Sequence, residues 1–436
     1  MKCLDVEKNI GIETFFTPME EIGGKLRVVP EDFIVHEISK YPPEKENGRF
    51  TIARVTARNW ETNQLVRELS SRLHVSRKRV DFAGTKDKRA KTTRLMSFYN
   101  VSRDELSELK VKDVVMEDIY SSGHPVRIGD LLGNRFEITV RNIGRGTKTE
   151  EIHDIASFIE GYGGFPNFYG VQRFGTIRPV THIVGKYIID GDFEKAVMSY
   201  IANPLYGEDE DTYALRERLQ KTYDFSEALA SYPSCLNFEK AILNKLVVDP
   251  EDFVGALKEL PKNLLTMFVY AYQSYLFNRI LSERIRKKLP LNRAVAGDVV
   301  LPVRNNVIDE NGIIVKEYNL DKVNKQVSKG KALVSGLLFG SDSEFSDGDM
   351  GEIEHKIIDE AKLDSRDFII PELPYLSSSG SRRPLLASVK NLEFNLRDDK
   401  LNKDRLALTL KFELQKGCYA TSLLREFMKS KDVKNY

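Results

Sequence analysis

Two segments far apart in the chain alternate strictly between apolar and polar residues, residues 134–141 and residues 406–414. A period of two is typical of a strand that buries one face. High β-propensity predicts further strands at residues 33–38 and 49–55, and a short apolar one at 79–84. We expect the strand near the C-terminus to join the sheet formed by the first part of the chain.

Helices are predicted where apolar residues recur every three or four positions. Leucines at four-residue spacing predict a helix at residues 62–75, with Thr62 as its N-cap. A second helix begins at residue 149 and is expected to break at Gly161. Longer or later helical patterns cover residues 263–285 and 421–430.

The order of these segments predicts an inserted domain. The chain has 436 residues, which is too long for one ordinary core. Strand patterns occur at both ends, whereas the chain beyond Gly175 has longer helical stretches and an acidic cluster at 208–211. We therefore predict one domain from residues 1–175 and 376–436, interrupted by a second domain at residues 176–375.

Composition narrows the class of protein only a little. The net charge of +1 says nothing about nucleic acid. The three cysteines lack CxxC spacing and the six histidines are scattered, so neither a disulfide framework nor a metal site is expected. The N-terminus lacks the apolar region of a signal peptide, and no apolar run reaches the ~18 residues of a membrane span. The expectation is a cytoplasmic protein.

The basic segment, residues 75–94, carries the most distinctive chemistry. Its cationic residues are Arg77, Lys78, Arg79, Lys86, Lys88, Arg89, Lys91 and Arg94. Such a cluster makes a positive field that suits phosphate, although a solvated Lys/Arg face is the alternative. Asp87 lies inside this cluster, where it is either a structural ion-pair partner or a nucleophile.

Five segments resemble motifs of the TruD family of pseudouridine synthases, in the family's order. They are PEDFIVHE (30–37), AGTKDKRAKTT (83–93), GNRF (133–136), PNFYGVQRFG (166–175) and GCYATSLLRE (417–426). The resemblance covers nearly the whole chain. It implies an α+β fold, in which a pseudouridine synthase catalytic domain with a mixed, mainly antiparallel sheet and flanking helices is interrupted by an inserted α/β TRUD domain.

The resemblance implies isomerisation of a flipped-out uridine to pseudouridine in tRNA, at position 13, with Asp87 as the nucleophile. Asp87 could attack C1′ or C6, or abstract a proton from C2′, and these routes stay open. The reaction is redox-neutral, so no cofactor is expected, and no membrane or protein partner is implied. The alternatives are other tRNA positions or other RNAs, a noncatalytic RNA-binding protein on this scaffold, and a base-removing hydrolase.

The resemblance also implies a pocket around Asp87. Asn134 would hold Asp87 or the base by hydrogen bonds, and Phe136 would stack on the uracil, although its period-two position also fits a core residue. Arg27 stands where the family has a basic residue and could pair with Asp87. Lys86 is a further candidate, although on an extended chain it points away from its neighbour.

Other predicted contacts lie in the remaining motifs. Gln172 and Arg173 are expected to bind substrate, while the aromatic residues before them either stack on bases or fill the core. Tyr419 corresponds to a family aromatic, usually Phe, near the base. The residues expected to bind RNA phosphates are Arg77, Lys78, Arg79, Lys88 and Arg89.

The inserted domain is expected to recognise RNA as the opposite wall of a cleft, because all five motifs lie outside it. Exposed cations at the end of the helix at 263–285 are predicted to contribute, namely Arg284, Arg286 and Lys287. The alternative is that these cations only complement the helix dipole.

Overall fold

The computed structural model describes residues 3–175, 178–205, 207–304, 307–432 and 435–436. The chain forms two compact units. The sheet unit comprises Thr17–Phe165 and Ala387–Tyr436, and the inserted unit comprises Met1–Phe16 and Pro166–Leu386. The inserted unit thus includes residues 3–16, 166–175 and 376–386, which the sequence analysis placed in the other domain. The expected boundary after Gly175 adjoins residues 176–177, which lie outside the described part.

The described residues form strands and helices with the following bounds. The strands are β1 (Phe33–Ser39), β2 (Phe50–Arg58), β3 (Val80–Phe82), β4 (Lys91–Tyr99), β5 (Val114–Ser122), β6 (Leu131–Ile143), β7 (Phe165–Pro166), β8 (Val299–Arg304), β9 (Val307–Ile308), β10 (Ile313–Ile314), β11 (Ala332–Leu338), β12 (Ser381–Pro384), β13 (Leu386–Ala387), β14 (Val389–Asp398) and β15 (Leu406–Gln415). The α-helices are α1 (Asp5–Asn9), α2 (Thr62–Arg72), α3 (Arg103–Glu108), α4 (Thr149–Tyr162), α5 (Thr181–Ile189), α6 (Phe193–Ile201), α7 (Glu210–Thr222), α8 (Phe225–Ser231), α9 (Asn237–Val248), α10 (Phe253–Lys258), α11 (Lys262–Arg286), α12 (Leu320–Val327), α13 (Gly348–Glu360) and α14 (Ala420–Met428).

An eight-stranded sheet dominates the sheet unit, in the order β14-β15-β6-β1-β4-β2-β5, with β3 beside β4. Strands β1 and β4 are parallel, and the other neighbours are antiparallel. The strand predicted near the C-terminus does join this sheet: β15 pairs with β6, and Leu410 lies opposite Ile138.

The alternating residues of β6 and β15 form one face of this sheet, which packs on two helices. Phe136 lies opposite Phe412, and both belong to a core that also contains apolar residues of α4 and α14. Burial of each large apolar side chain contributes about 1.5–3 kcal/mol. This core therefore fixes the register of the strands that carry the candidate site.

Helix α2 buries Leu65 and Leu69 in a second core of the sheet unit. Its predicted N-cap was wrong by one residue. The carboxylate of Glu61 accepts hydrogen bonds from the amides of Asn63 and Gln64, at 2.9 and 2.8 Å. The Thr62 side chain is instead buried, and its hydroxyl accepts a hydrogen bond from the Lys86 amide. The predicted break in α4 also falls slightly too early, since the helix continues to Tyr162.

The inserted unit is rich in helices and has a smaller antiparallel sheet, in the order β10-β8-β11-β12, with β9 beside β8. Its longest helix, α11, packs against α5, α13 and β11. Among the described residues, no helix is long and apolar enough to cross a membrane.

Candidate active site

The Asp87 loop, residues 83–90, connects the short strand β3 to the central strand β4. The main chain is fixed at Lys86, whose amide donates to the hydroxyl of Thr62 at 2.9 Å. The Asp87 side chain is 50% exposed. A half-exposed carboxylate on an anchored loop is accessible to a ligand and is still held in position.

Arg27 pairs with Asp87, as predicted, and donates from Nη2 to Oδ2 at 2.5 Å. The guanidinium also lies over the ring of Phe33, 4.3 Å from its centroid. Arg27 has φ = +55°, in the left-handed region that residues other than glycine rarely adopt. Such a conformation costs about 1–3 kcal/mol and persists where surrounding contacts hold it. Arg27 therefore compensates the charge of Asp87 from a strained and well-packed position.

Lys86 points away from Asp87 into the protein, where its Nζ contacts the Glu37 carboxylate at 2.7 Å. The side chains of Lys86 and Glu37 are only 6% and 1% exposed. Burial lowers the pKa of Lys86, and the ion pair with Glu37 opposes that shift. Lys86 thus anchors the Asp87 loop to Glu37 in the protein interior. Its side chain is buried, whereas the prediction placed it in contact with the substrate.

A buried arginine extends this anchor. Arg94, on β4, donates to the hydroxyls of Thr62 and Thr92, each at 2.8 Å. Burial lowers the pKa of Arg94 to about 10, so the guanidinium is charged at neutral pH. Arg94 therefore belongs to the interior and adds nothing to the exposed positive surface predicted for the basic segment.

No role was predicted for Glu37 or Thr62 from the sequence. The alternation of residues in β1 could, however, have indicated that Glu37 faces the core. Phe33, Val35 and Glu37 alternate on one face of the strand, and the first two are buried in the core. A carboxylate on a core-facing position requires a cation, because an unpaired buried charge is costly.

Asn134 lies between Glu37 of β1 and Leu414 of β15 in the register of the sheet. Its Oδ1 atom is buried and has no hydrogen-bond partner among the described residues. The preceding residue must be glycine, because a Cβ on Gly133 would lie 2.4 Å from the carbonyl oxygen of Leu414. The close approach of β15 thus explains the glycine of the GNRF segment.

Phe136 follows two residues later on the same face and is 7% exposed. Its ring stacks on Phe412, with centroids 5.2 Å apart, and meets the edge of Phe33 at 6.3 Å. The structure therefore shows the core packing that periodicity suggested. A contact between Phe136 and a base stays a prediction.

Tyr419 immediately precedes α14 and is partly buried. Gln172 and Arg173 belong to the inserted unit, in a short 3₁₀ turn. Arg173 donates to the Ser274 hydroxyl at 3.2 Å, and its guanidinium lies 5.7 Å from the ring centroid of Tyr169. Contacts of Tyr419, Gln172 and Arg173 with the substrate remain predictions.

The exposed cations of the basic segment are fewer than predicted. Arg79 is partly buried and donates to the backbone carbonyls of Tyr99 and Asn100, so its side chain is occupied in the fold. The remaining four predicted phosphate-binding residues are exposed and form no ion pair within the described part of the chain: Arg77, Lys78, Lys88 and Arg89. Of these, Arg89 also donates to the backbone carbonyl of Arg27 at 3.3 Å.

The cations predicted to bind RNA from the inserted unit are largely engaged. Arg284 is fully buried and bonds to Asp298 at 2.6 and 2.9 Å, so the prediction that it is exposed was wrong. Arg286 pairs with Glu283 and Glu13. Lys287 lies 3.4 Å from Glu352.

No group of three His, Cys, Asp or Glu side chains that could hold a metal ion occurs in the described ranges. The group bonded to the Asp87 carboxylate is instead the guanidinium of Arg27.

Comparison with known proteins identifies this architecture. The model of the family tRNA pseudouridine synthase D (TruD) matches residues 9–427. A probable tRNA pseudouridine synthase D from Methanosarcina barkeri is 43% identical over 98% of both chains. The counterpart from Thermoplasma volcanium is 39% identical over 92% of this chain and 94% of its own.

A crystal structure described as tRNA pseudouridine synthase D (TruD) from Methanosarcina mazei superposes with a TM-score of 0.88 at 41% identity, covering 100% of both chains. The fold and the sheet that carries Asp87 are thus those of a pseudouridine synthase. The chain belongs to the TruD family. The predicted family, the α+β fold and the enzyme class are confirmed.

Proposed function

We propose that this protein converts uridine to pseudouridine in tRNA, at position 13, and that the Asp87 carboxylate is the reactive group. One observation supports this most strongly: Asp87 is half exposed and held by Arg27 on a loop anchored from below. The choice of tRNA follows from the family and its relatives. Position 13 rests on the resemblance of the motifs.

The reaction breaks the N1–C1′ bond, turns the uracil and joins C5 to C1′. N1 gains a proton and C5 loses one, so atoms and electrons balance without a redox partner. Asp87 would act by attack on C1′ or C6, or by taking the C2′ proton. In each route one carboxylate oxygen must reach the nucleotide. Arg27 is bonded to Oδ2, which leaves Oδ1 for the substrate.

Asn134 is the best candidate for retaining the base after the glycosidic bond breaks. Its buried Oδ1 has no partner in the described ranges, so it can accept a hydrogen bond from uracil N3–H. Leaving such an acceptor unpaired costs about 1–3 kcal/mol, and uracil would remove this penalty. Phe136, two residues along the same face, would form the floor of the pocket and Tyr419 a side wall.

RNA phosphates would be bound by the exposed cations of the basic segment that have no carboxylate partner in the described ranges, namely Arg77, Lys78, Lys88 and Arg89. Gln172 and Arg173 remain predicted substrate contacts, and the inserted unit is proposed to recognise RNA. A cytoplasmic location is likewise retained as a prediction.

The test is incubation of the protein with unmodified tRNA, prefolded in monovalent salt with EDTA, followed by mapping of pseudouridine at nucleotide resolution. We expect pseudouridine at position 13 and no free uracil. Free uracil would instead indicate a base-removing hydrolase. Tight tRNA binding without any modified uridine would indicate a noncatalytic RNA-binding protein. Pseudouridine at another position would correct only the target.

A further inference from the structure

A tight turn, residues 127–130, joins the sheet unit's strands β5 and β6 and displays an isoleucine at its tip. The turn is closed by the Asp130 amide, which donates to the Arg127 carbonyl at 3.0 Å, and by the Asp130 carboxylate, which accepts from the Arg127 amide at 2.8 Å. Gly129 supplies the positive φ of +96° that the turn requires. Ile128 is therefore held at the tip by local bonds and not by packing of its own side chain.

Ile128 is 84% exposed, more than any other large apolar side chain described in the sheet unit. The next are Tyr41, Val115 and Leu401, at 57%, 56% and 53%. Single exposed apolar residues are common and need no explanation. Ile128 differs because its turn is bonded to the Asp87 loop.

Three segments hold the turn in place. The Gly129 amide donates to the carbonyl of Ala83, the first residue of the Asp87 loop, at 3.1 Å. The Lys40 amide donates to the Asp130 carbonyl at 3.3 Å. Lys416, from the segment that precedes Tyr419, donates from Nζ to the Gly129 carbonyl at 3.4 Å. The turn is thus bonded directly to the Asp87 loop and to the segment that precedes Tyr419.

Chain lengths keep Ile128 near the reacting groups. Ala83 precedes Asp87 by four residues, so their Cα atoms are at most ~14 Å apart. Ile128 precedes Asn134 by six residues, which spans at most ~20 Å. These distances are comparable to the few base pairs around a target nucleotide.

The surroundings of Ile128 have the chemistry of a nucleic-acid contact. Two further apolar side chains nearby along the chain are exposed, Leu132 after the turn and Tyr41 after Lys40. The cations at the turn, Arg127, Lys40 and Lys416, are exposed and form no ion pair with the described residues, although Lys416 also bonds to the Gly129 carbonyl. Apolar tips flanked by exposed cations without carboxylate partners suit a base stack bordered by phosphates.

We propose that Ile128 is a wedge that enters the base stack of the RNA when the target uridine leaves it. This inference rests on the proposed function, because the wedge would occupy the space left by a uridine that is extruded for chemistry. Unstacking a base step costs a few kcal/mol, and apolar side chains such as isoleucine offset this cost by filling the vacated space. Arg127 and Lys416 would then bind the phosphates on either side of the gap.

The test compares single-turnover isomerisation by the wild type, Ile128→Ala, Ile128→Leu and Leu401→Ala at saturating tRNA. Leu401 is the matched control, an exposed apolar residue in the β14–β15 connection of the same unit. Each protein is assayed on normal tRNA and on tRNA in which the base stacked against the target is replaced by an abasic ribose. Thermal unfolding verifies that each variant is folded.

We expect Ile128→Ala to lose about tenfold in rate on normal tRNA, equivalent to about 1.4 kcal/mol. Ile128→Leu and Leu401→Ala should stay within about twofold of the wild type. On the abasic tRNA, where less stacking must be disrupted, the loss should shrink to about threefold or less. An unchanged Ile128→Ala rate, or an equal loss on both RNAs, overturns the wedge alone. A wild type that makes no pseudouridine on either RNA overturns the proposed function and the wedge with it.

Discussion

The basic segment at 75–94 and the end of α11 at 284–287 are both rich in arginine and lysine, and both were predicted to bind RNA. In the basic segment, Arg77, Lys78, Lys88 and Arg89 are exposed and have no carboxylate partner in the described ranges. At the end of α11, by contrast, Arg284, Arg286 and Lys287 each have a carboxylate partner. The basic segment thus leaves cations without carboxylate partners that could meet a polyanion, whereas the cations at the end of α11 are paired with carboxylates.

This difference shows that a run of charges in a sequence does not give the exposure of its members. Their exposure follows from the periodicity of buried positions in the helix or strand that carries them. In α11, Phe277, Ile280 and Leu281 are buried, and Arg284 follows at the next position of that face. In the basic segment, Arg94 lies inside β4, where neighbouring residues on both faces are buried. A cation placed among buried residues is bonded within the fold, to a carboxylate in the case of Arg284 and to two hydroxyls in the case of Arg94.

Arg284→Met should produce the largest loss of stability and no loss of chemistry. Removing one member of a buried ion pair leaves Asp298 uncompensated and costs about 3–5 kcal/mol. Chemical denaturation should therefore show a lower free energy of unfolding, while the single-turnover rate of the folded fraction and its RNA affinity stay unchanged. Loss of RNA affinity in folded Arg284→Met would restore the discarded role of this residue.

Arg27→Met should lower the single-turnover rate at saturating tRNA by about 100-fold, because a misplaced carboxylate loses its aligned approach to the nucleotide. Arg27→Lys, which keeps a positive charge, should recover part of the rate. RNA affinity should change little, since Arg27 is bonded to Asp87 and is largely buried. A full rate in Arg27→Met would mean that the pair has no part in the chemistry.

Lys86→Met should lower the same rate by about tenfold, because the Asp87 loop loses its lower anchor. Glu37 is then left buried without a cation, so the double variant Lys86→Met/Glu37→Gln should be more stable than the single variant. The free energy of unfolding and the single-turnover rate are measured for the wild type, the single variant and the double variant. If Lys86→Met were stable but bound tRNA weakly, Lys86 would be a substrate contact after all.

The smallest effect is expected at the free cations. Arg77→Ala/Lys78→Ala should reduce the slope of log affinity against log salt by about 1.5, since each lost phosphate contact removes about 0.7–0.9. Lys287→Ala is the matched control from the inserted unit, and its slope should equal that of the wild type because Lys287 is paired with Glu352. Equal slopes in all three proteins would mean that the basic segment is only a solvated face.

Local patterns predicted the elements of the sheet unit, because a period of two in residues 134–141 and 406–414 reports directly on burial. They could not predict the parallel pairing of β1 with β4 or the alignment of Glu37, Asn134 and Leu414, which depend on contacts distant in sequence. The pairing of Arg27 with Asp87 was predicted from the motifs. The Glu37–Lys86 anchor was not, because its two members are 49 residues apart.

The most direct test of this account is the rate of pseudouridine formation by Asp87→Asn at saturating tRNA, compared with Asp81→Asn. Asp81 is the other acidic residue of the basic segment and lies on β3, so its substitution controls for loss of a charge there. The amide keeps the size of Asp87 but is a far weaker nucleophile. We expect no detectable product from Asp87→Asn, with tRNA affinity retained, and a nearly normal rate from Asp81→Asn. Turnover by Asp87→Asn at about a tenth of the wild-type rate, a barrier change of only about 1.4 kcal/mol, would contradict the assignment of Asp87.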